Sequence, residues 1–229
     1  MKKALIYTSV ASMIDQFNRD NITLLQSLGY KVEVACNFEK GNTIDRDQIE
    51  QLKKDLAEKN VTWHHIPIPR SIRSISDIRT SYRLSKELMN TQNYTLIHFH
   101  SPIGAAIGRC AAIKSRKQGS KVIYTAHGFH FHKGAPLFNW LSFYPIEASL
   151  SYVTDTLITI NTEDYRRAKS FKTPQIKFVP GIGIDTEKID RISVSRDSKR
   201  AELGIAQDSL LLLSVGELNK NKNQITIYW

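Results

Sequence analysis

From the first residue onward, short apolar runs alternate with longer stretches whose apolar residues recur at three- and four-residue steps. The short runs, residues 4–7, 32–36, 61–66, 96–99, 122–125, 157–160 and 177–179, have the length and content of buried strands. Between the first two, Ile14, Phe17, Leu24, Leu25 and Leu28 mark a helical stretch, and Gly29 stands where a helix C′ residue belongs. Ile49, Leu52 and Leu56 mark a second helix, and Ile75, Ile78, Tyr82, Leu84 and Leu88 a third. Ile103, Ile107 and Cys110 begin a fourth.

Strand, crossover helix, strand predicts an α/β fold: a doubly wound, Rossmann-like parallel sheet covered on both faces. Ligands of such sheets bind outside the carboxyl ends of the strands, so functional residues are expected just after each strand. The tail departs from this rhythm. A polar helical stretch over residues 195–203 ends at Gly204, and the strongly apolar run 210–215 then predicts a further strand. It leads into Gly216-Glu217-Leu218-Asn219-Lys220-Asn221-Lys222-Asn223, the opening of another βαβ unit. The expected division is therefore a domain over 1–205 and the first strand and loop of an incomplete one over 206–229. Gly181-Ile182-Gly183-Ile184-Asp185, after Val179-Pro180, reads as a turn or hinge.

Composition fits an ordinary globular chain, with 41% hydrophobic and 24% charged residues, and excludes disorder, collagen-like repeats and disulfide miniproteins. Two cysteines, Cys36 and Cys110, are too few for a secreted framework and are expected to be buried small hydrophobes. No run approaches the ~18 apolar residues that span a bilayer. The apolar run after Met1-Lys2-Lys3 stops at Thr8 and Asp15 follows, which makes it a first strand rather than a signal peptide. A cytoplasmic location is expected.

The formal charge is +10, which favours anionic partners. Its densest cluster is Arg70, Arg73, Arg79, Arg83 and Lys86. No helix-turn-helix, RNP-type aromatic run or Cys/His finger accompanies it, so nucleic acid is not the expected partner. A solvated basic face, a phosphate site and an anionic membrane surface remain open.

Candidate chemistry lies at three strand ends. His98 and His100 share one face of an extended chain while Phe99 takes the other. His127-Gly128-Phe129-His130-Phe131-His132 follows the next strand, where Gly128 permits a positive φ or close approach to a ligand. Asn161-Thr162-Glu163-Asp164 closes a later one. For these histidines a metal site, capping of strand ends and sugar or phosphate binding all stay open, and His127 is the strongest candidate for the last. After the first strand, the small residues Thr8 to Ser12 supply either anion contacts or ordinary capping by Ser9 or Ser12. No nucleophile elbow, Walker loop or GxGxxG stands there.

Phe178-Val179-Pro180-Gly181-Ile182-Gly183-Ile184-Asp185, followed by Ser214-Val215-Gly216-Glu217-Leu218-Asn219-Lys220-Asn221-Lys222-Asn223, resembles the interdomain passage of family 4 glycosyltransferases. These are retaining, two-domain GT-B enzymes. Thr125-Ala126-His127-Gly128-Phe129-His130-Phe131 and Phe143-Tyr144-Pro145-Ile146-Glu147 are similar to bacterial capsular and exopolysaccharide members. The resemblance runs from residue 1 to about 223. It implies an acceptor-binding domain over 1–205 and the start of a nucleotide-sugar-binding domain over 206–229. It implies His127 as the catalytic cleft histidine, and Ser9, Ser12, His98, His100 and His130 as acceptor-binding. Gly216, Glu217, Lys222 and Asn223 become the donor-phosphate-binding set, with Lys222 on the diphosphate; Glu217 stands where many members have Arg.

No metal or other cofactor is implied, and the nucleotide-sugar is a substrate. The implied acceptor is lipid-linked or a saccharide, and a lipid diphosphate at the inner face of the cell membrane suits the basic cluster. Residues 224–229 do not resemble the family's next helix, and its paired-glutamate motif is not in the chain. A truncated enzyme, inactive alone and self-associating through the run 210–215, is therefore expected. One rival is a non-catalytic module working with a separate donor subunit; another is a His-rich metallohydrolase.

Overall fold

The computed structural model describes residues 2–71, 74–181, 183, 186–216, 218 and 223–228, without the side chains of 188, 227 and 228. Arg73, Ile182, Ile184, Asp185, Glu217 and Lys222, all singled out above, lie outside the described residues. Two compact units are present, residues 1–182 and 183–229.

In the first unit each sequence-predicted strand forms. In chain order come β1 (Lys2–Val10), α1 (Ala11–Phe17), α2 (Arg19–Ser27), β2 (Tyr30–Asn37), α3 (Arg46–Glu58), β3 (Thr62–His65), α4 (Ile75–Gln92), β4 (Leu96–His100) and α5 (Pro102–Ala111). Then follow α6 (Ile113–Lys117), β5 (Lys121–Ala126), α7 (Leu137–Leu150), β6 (Thr156–Thr159), α8 (Thr162–Ala168) and β7 (Gln175–Phe178). All pairings are parallel, in the order β3-β2-β1-β4-β5-β6-β7.

β1 sits centrally, and its residues from Ala4 to Val10 are all buried. Alternation sends Leu5 and Tyr7 into one core with Phe99, Tyr124 and Ile97, and Ile6 into the opposite core with Val32, Val34 and Leu52. Both faces are thus dry, as a parallel sheet requires.

The apolar repeat from Ile14 to Leu28 is not one helix. Asn18 separates α1 from α2; it is fully buried and its Nδ2 donates to the Met13 carbonyl at 2.8 Å. The face rotates at this break, which leaves Leu24 and Leu28 exposed and turns Ile22 into the core. α3 begins as the sequence chemistry demands: Asp45 accepts from the Gln48 N–H while the Gln48 side chain accepts from the Asp45 N–H.

α5 lies unusually close to the sheet. A Cβ at Gly104 would stand 2.6 Å from Ser9 Oγ, and one at Gly108 would stand 2.2 Å from Phe99 Cε1. The same helix carries Arg109 into the interior. Its Nη2 donates to Glu147 Oε2 of α7 at 2.7 Å, and its guanidinium lies 4.1 Å from the Tyr124 ring centroid. Removing one partner of such a buried pair leaves an uncompensated charge, at a cost of ~3–5 kcal/mol. Cys110, one position on, is exposed rather than buried as expected, because the helix turns it outward from the Gly108 face; Cys36 is buried.

The second unit holds α9 (Thr186–Asp190) and α10 (Arg196–Glu202), the latter capped by Ser195, whose Oγ accepts from the Ser198 N–H. The expected strand over 210–215 does not form; Leu210 and Val215 are both 87% exposed. A strand is made by its neighbours, and among the described residues this run has none to pair with.

Gly108→Ala is expected to lower stability by ~1–3 kcal/mol, the usual cost of forcing atoms into a packed core. Urea unfolding of the wild-type and substituted chains measures it, and an unchanged midpoint would show that α5 does not approach the sheet this closely.

Candidate active site

The strand order reverses beside β1: β2 and β3 extend to one side of it, and β4 to β7 to the other. The carboxyl ends of β1 and β4 therefore flank a crevice that no crossover helix covers, the usual ligand position in such sheets. A pocket of about 350 Å³ occupies it, with Ser9, Ser12, Phe17, Arg70, Ser101 and His130 in its wall.

Each wall residue has a local cause. Ser9 lies one residue before the end of β1 and is 7% exposed; its hydroxyl has no hydrogen-bond partner among the described residues. Ser12 caps nothing: the residue at the start of α1 is Val10, without a side-chain cap, and the Ser12 N–H is taken by Asn42 Oδ1 at 3.0 Å. The anion contact expected of that N–H is thus already occupied by protein. Arg70 Nη1 donates to the Gly41 carbonyl at 3.0 Å, which holds the cation at the pocket.

Ser101 turns the chain from β4 straight into α5 with φ 69° and ψ 132°, a conformation side chains resist by ~1–3 kcal/mol. His130 stacks on Phe143 of α7 with ring centroids 4.6 Å apart.

Behind this wall three imidazoles form a chain. The alternation expected for β4 is present: Phe99 packs on Tyr7, while the His98 and His100 rings lie 4.1 Å apart. His98 Nε2 is 2.8 Å from Thr125 Oγ1, and His100 Nδ1 is 3.0 Å from His127 Nε2. His100 is 2% exposed and its Nε2 has no partner among the described residues. A buried lone pair without a partner is tolerated better than a buried N–H without one. This places the His100 proton on Nδ1, donated to His127 Nε2, and leaves the His127 proton on Nδ1. That nitrogen hydrogen-bonds to nothing among the described residues, so it is free to donate to a ligand.

Burial is the main cause that holds all three imidazoles neutral. It lowers His98 to about 4, aided by the nearby His127, and it pushes His100 well below the ordinary range with help from His98 and His127. His127 and His130 are also lowered, both chiefly by desolvation.

The loop after β5 is braced from α8. Asp164 Oδ2 accepts from the Phe129 N–H at 3.0 Å, Glu163 Oε1 accepts from the Lys133 N–H at 2.6 Å, and Gly128 takes φ 131°. The third strand-end motif, Asn161 to Asp164, thus shapes the histidine loop from behind.

Of the sequence-predicted residues, the structure brings Ser9, Ser12 and His130 to one pocket wall. His127 stands beside it, its ring 6.2 Å from that of Phe17. His98 and His100 are not in that wall but support His127. Gly216 and Asn223 belong to the second unit, where both are exposed. Among the described residues no group of His, Cys, Asp or Glu is arranged to hold a metal ion. Sequence reasoning missed Arg109 and gave Glu147 no role; opposite charges set in two apolar helices were the available signal.

In a doubly wound parallel domain the switch point is where ligands bind, but the fold alone does not name the ligand. The comparisons give the family. The model described as "Glycosyl transferase 4-like" matches residues 10–161, and the chain belongs to that family.

EpsD of Bacillus subtilis (strain 168), which carries a glycosyltransferase name, is 37% identical over 226 residues, covering 97% of this chain and 55% of the relative. An Escherichia coli protein named UDP-Gal:alpha-D-GlcNAc-diphosphoundecaprenol alpha-1,3-galactosyltransferase is 29% identical over 181 residues, 75% of this chain and 44% of its own. The chain spans about half the length of the curated relatives it matches.

Among solved structures, a Rickettsia africae glycosyltransferase has TM-score 0.53 at 14% identity, covering 90% of this chain and 51% of that one. Sucrose-phosphate synthase of Thermosynechococcus elongatus has TM-score 0.53 at 11% identity, covering 90% and 54%. At these identities they show a shared fold.

The depressed imidazoles give a signed pH dependence. Groups whose folded affinity for protons is below the unfolded one contribute stability above about pH 6.5 that is lost as pH falls toward 4. A tenfold change in proton affinity is ~1.4 kcal/mol, or about 3–6 °C in Tm at this size. The Tm is therefore expected to fall between pH 7 and pH 5, and His98→Gln, which keeps a partner for Thr125, is expected to flatten that slope. Identical slopes in the two chains would exclude His98 as the source.

Proposed function

We propose that this chain forms the acceptor-binding part of a glycosyltransferase of bacterial surface-polysaccharide synthesis, and that its acceptor is a sugar linked through a diphosphate to a lipid. The observation that carries the reading is the switch-point pocket, whose wall joins the cation Arg70 to hydroxyls, the His130 imidazole and the Phe17 ring, with His127 beside it. Hydroxyls and a neutral imidazole donor suit a sugar, and a guanidinium suits a phosphate. The matched family and the E. coli relative's printed acceptor support the same chemistry.

On this reading His127 contacts the transferred sugar or the reacting hydroxyl, with His100 fixing its tautomer and His98 supporting the pair. Lys222, with Gly216 and Asn223, meets the diphosphate of a nucleotide-sugar, where negative charge grows as the leaving group departs. Catalysis then needs a packed nucleotide-binding lobe around those residues. Among the described residues of 183–229 no apolar side chain is buried, so the 229-residue chain is expected to bind acceptor without measurable transfer. The surplus of cations supports a location at an anionic membrane face, where a lipid-linked acceptor would be met.

The test is calorimetric titration with a panel of soluble short-alkyl diphosphates carrying hexoses or N-acetylhexosamines. At least one member is expected to bind saturably, with binding at least tenfold weaker in His127→Ala. No binding across the panel, or binding indifferent to His127→Ala, would overturn the reading.

A further inference from the structure

Besides the switch-point pocket, the first unit carries a second and larger concavity, about 730 Å³, between α4, α5 and α7. Ile75, Ile78, Ile103, Ile107, Phe143 and Ile146 give it an apolar wall. Its buried carboxylate, Glu147, is already neutralised by Arg109. The free charge at the groove is therefore positive. Arg79 lines it, and Arg83 and Lys86 follow on the exposed side of the same helix.

We infer that this groove holds the isoprenoid chain of a diphosphate-linked lipid whose head lies in the switch-point pocket; the inference rests on the acceptor reading above. Three observations carry it. The groove and the pocket share wall residues: Pro102 and Ile103, the first turn of α5, line both. A molecule with a polar head in one and an apolar tail in the other crosses only that turn. The charges also match, since Arg70 stands in the pocket and Arg79 at the groove, on either side of the turn where a diphosphate would lie. Size agrees as well. An apolar cavity of ~150 Å³ accepts a benzene ring, so the groove holds several five-carbon units.

The wall itself favours a branched aliphatic chain. It offers isoleucine and proline faces with two aromatic rings, Tyr82 and Phe143, and no unneutralised acid among the described residues. Ile75, at the start of α4, is 76% exposed, which leaves an apolar edge where the chain continues toward a bilayer.

Cys110 lies in the groove wall and is accessible, whereas the other cysteine, Cys36, is buried. Alkylation of Cys110 by N-ethylmaleimide, followed by intact-mass measurement on the full chain, therefore reports occupancy. Farnesyl diphosphate is expected to slow alkylation at least fivefold, and inorganic diphosphate less than twofold. Ile75→Asp changes an exposed position and is expected to raise the farnesyl diphosphate concentration for half-protection at least fivefold. Ala106→Phe, which fills the groove, is expected to act the same way. Alkylation unaffected by farnesyl diphosphate, or equal protection by inorganic diphosphate, would overturn the assignment. A hexosyl farnesyl diphosphate that binds without protecting Cys110 would overturn it too while leaving the acceptor reading standing. Protection by farnesyl diphosphate in a chain that binds no sugar diphosphate would do the reverse.

Discussion

The close seating of α5 on the sheet is the constraint from which the site follows. Parallel strands leave a crevice wherever their order reverses, but its width depends on the helix that follows the reversal. Here that helix presents hydrogen atoms where side chains would stand, at Gly104 against Ser9 and at Gly108 against Phe99. Its first turn is therefore drawn to the ends of β1 and β4. Ser101 takes a resisted backbone conformation to make the turn, and the packing below it supplies the compensation. The same seating drives Arg109 into the core, where Glu147 and the Tyr124 ring receive it. Pocket, groove and buried ion pair are three consequences of one approach.

Electrostatics in the unit is divided by depth. Beneath the pocket the charge-capable groups are imidazoles held neutral by burial, so they offer directed hydrogen bonds without a field. At the surface Arg79, Arg83 and Lys86 stand exposed on α4 and supply the attraction. Glu33 shows the opposite solution on β2. Burial raises its proton affinity, yet hydrogen bonds from Tyr94 and His64, together with the charges of His64 and Lys3, outweigh this and hold the carboxyl below its ordinary value. A buried acid kept ionised by three partners suits architecture, whereas a neutral imidazole with one free nitrogen suits recognition.

Strand positions were legible because a two-faced parallel sheet writes continuous apolar runs, and each predicted run in the first unit became a strand. The rim of histidines was legible for the same reason, since strand ends follow from strands. Side-chain partnership was not. Nothing in the spacing of His98, His100 and His127 says that the first two stand behind the third, because that depends on the register pairing His100 with Thr125. Helix periodicity misled where Asn18 broke the repeat. The run 210–215 misled because apolar content favours a strand only when a neighbour exists to complete its hydrogen bonds. Arg109 and Glu147 lie 38 residues apart, and only the fold reveals that the two apolar helices meet.

The claim that the switch-point crevice receives the acceptor is tested most directly by histidine-selective nuclear magnetic resonance of the full chain during titration with N-acetylglucosamine 1-diphosphate. Seven histidines give a site-by-site report. The account predicts saturable shifts of His127 and His130, a smaller response of His100 through its bond to His127, and an unmoved His64 on the edge strand β3. Shifts at His64 with His127 and His130 unmoved would contradict it.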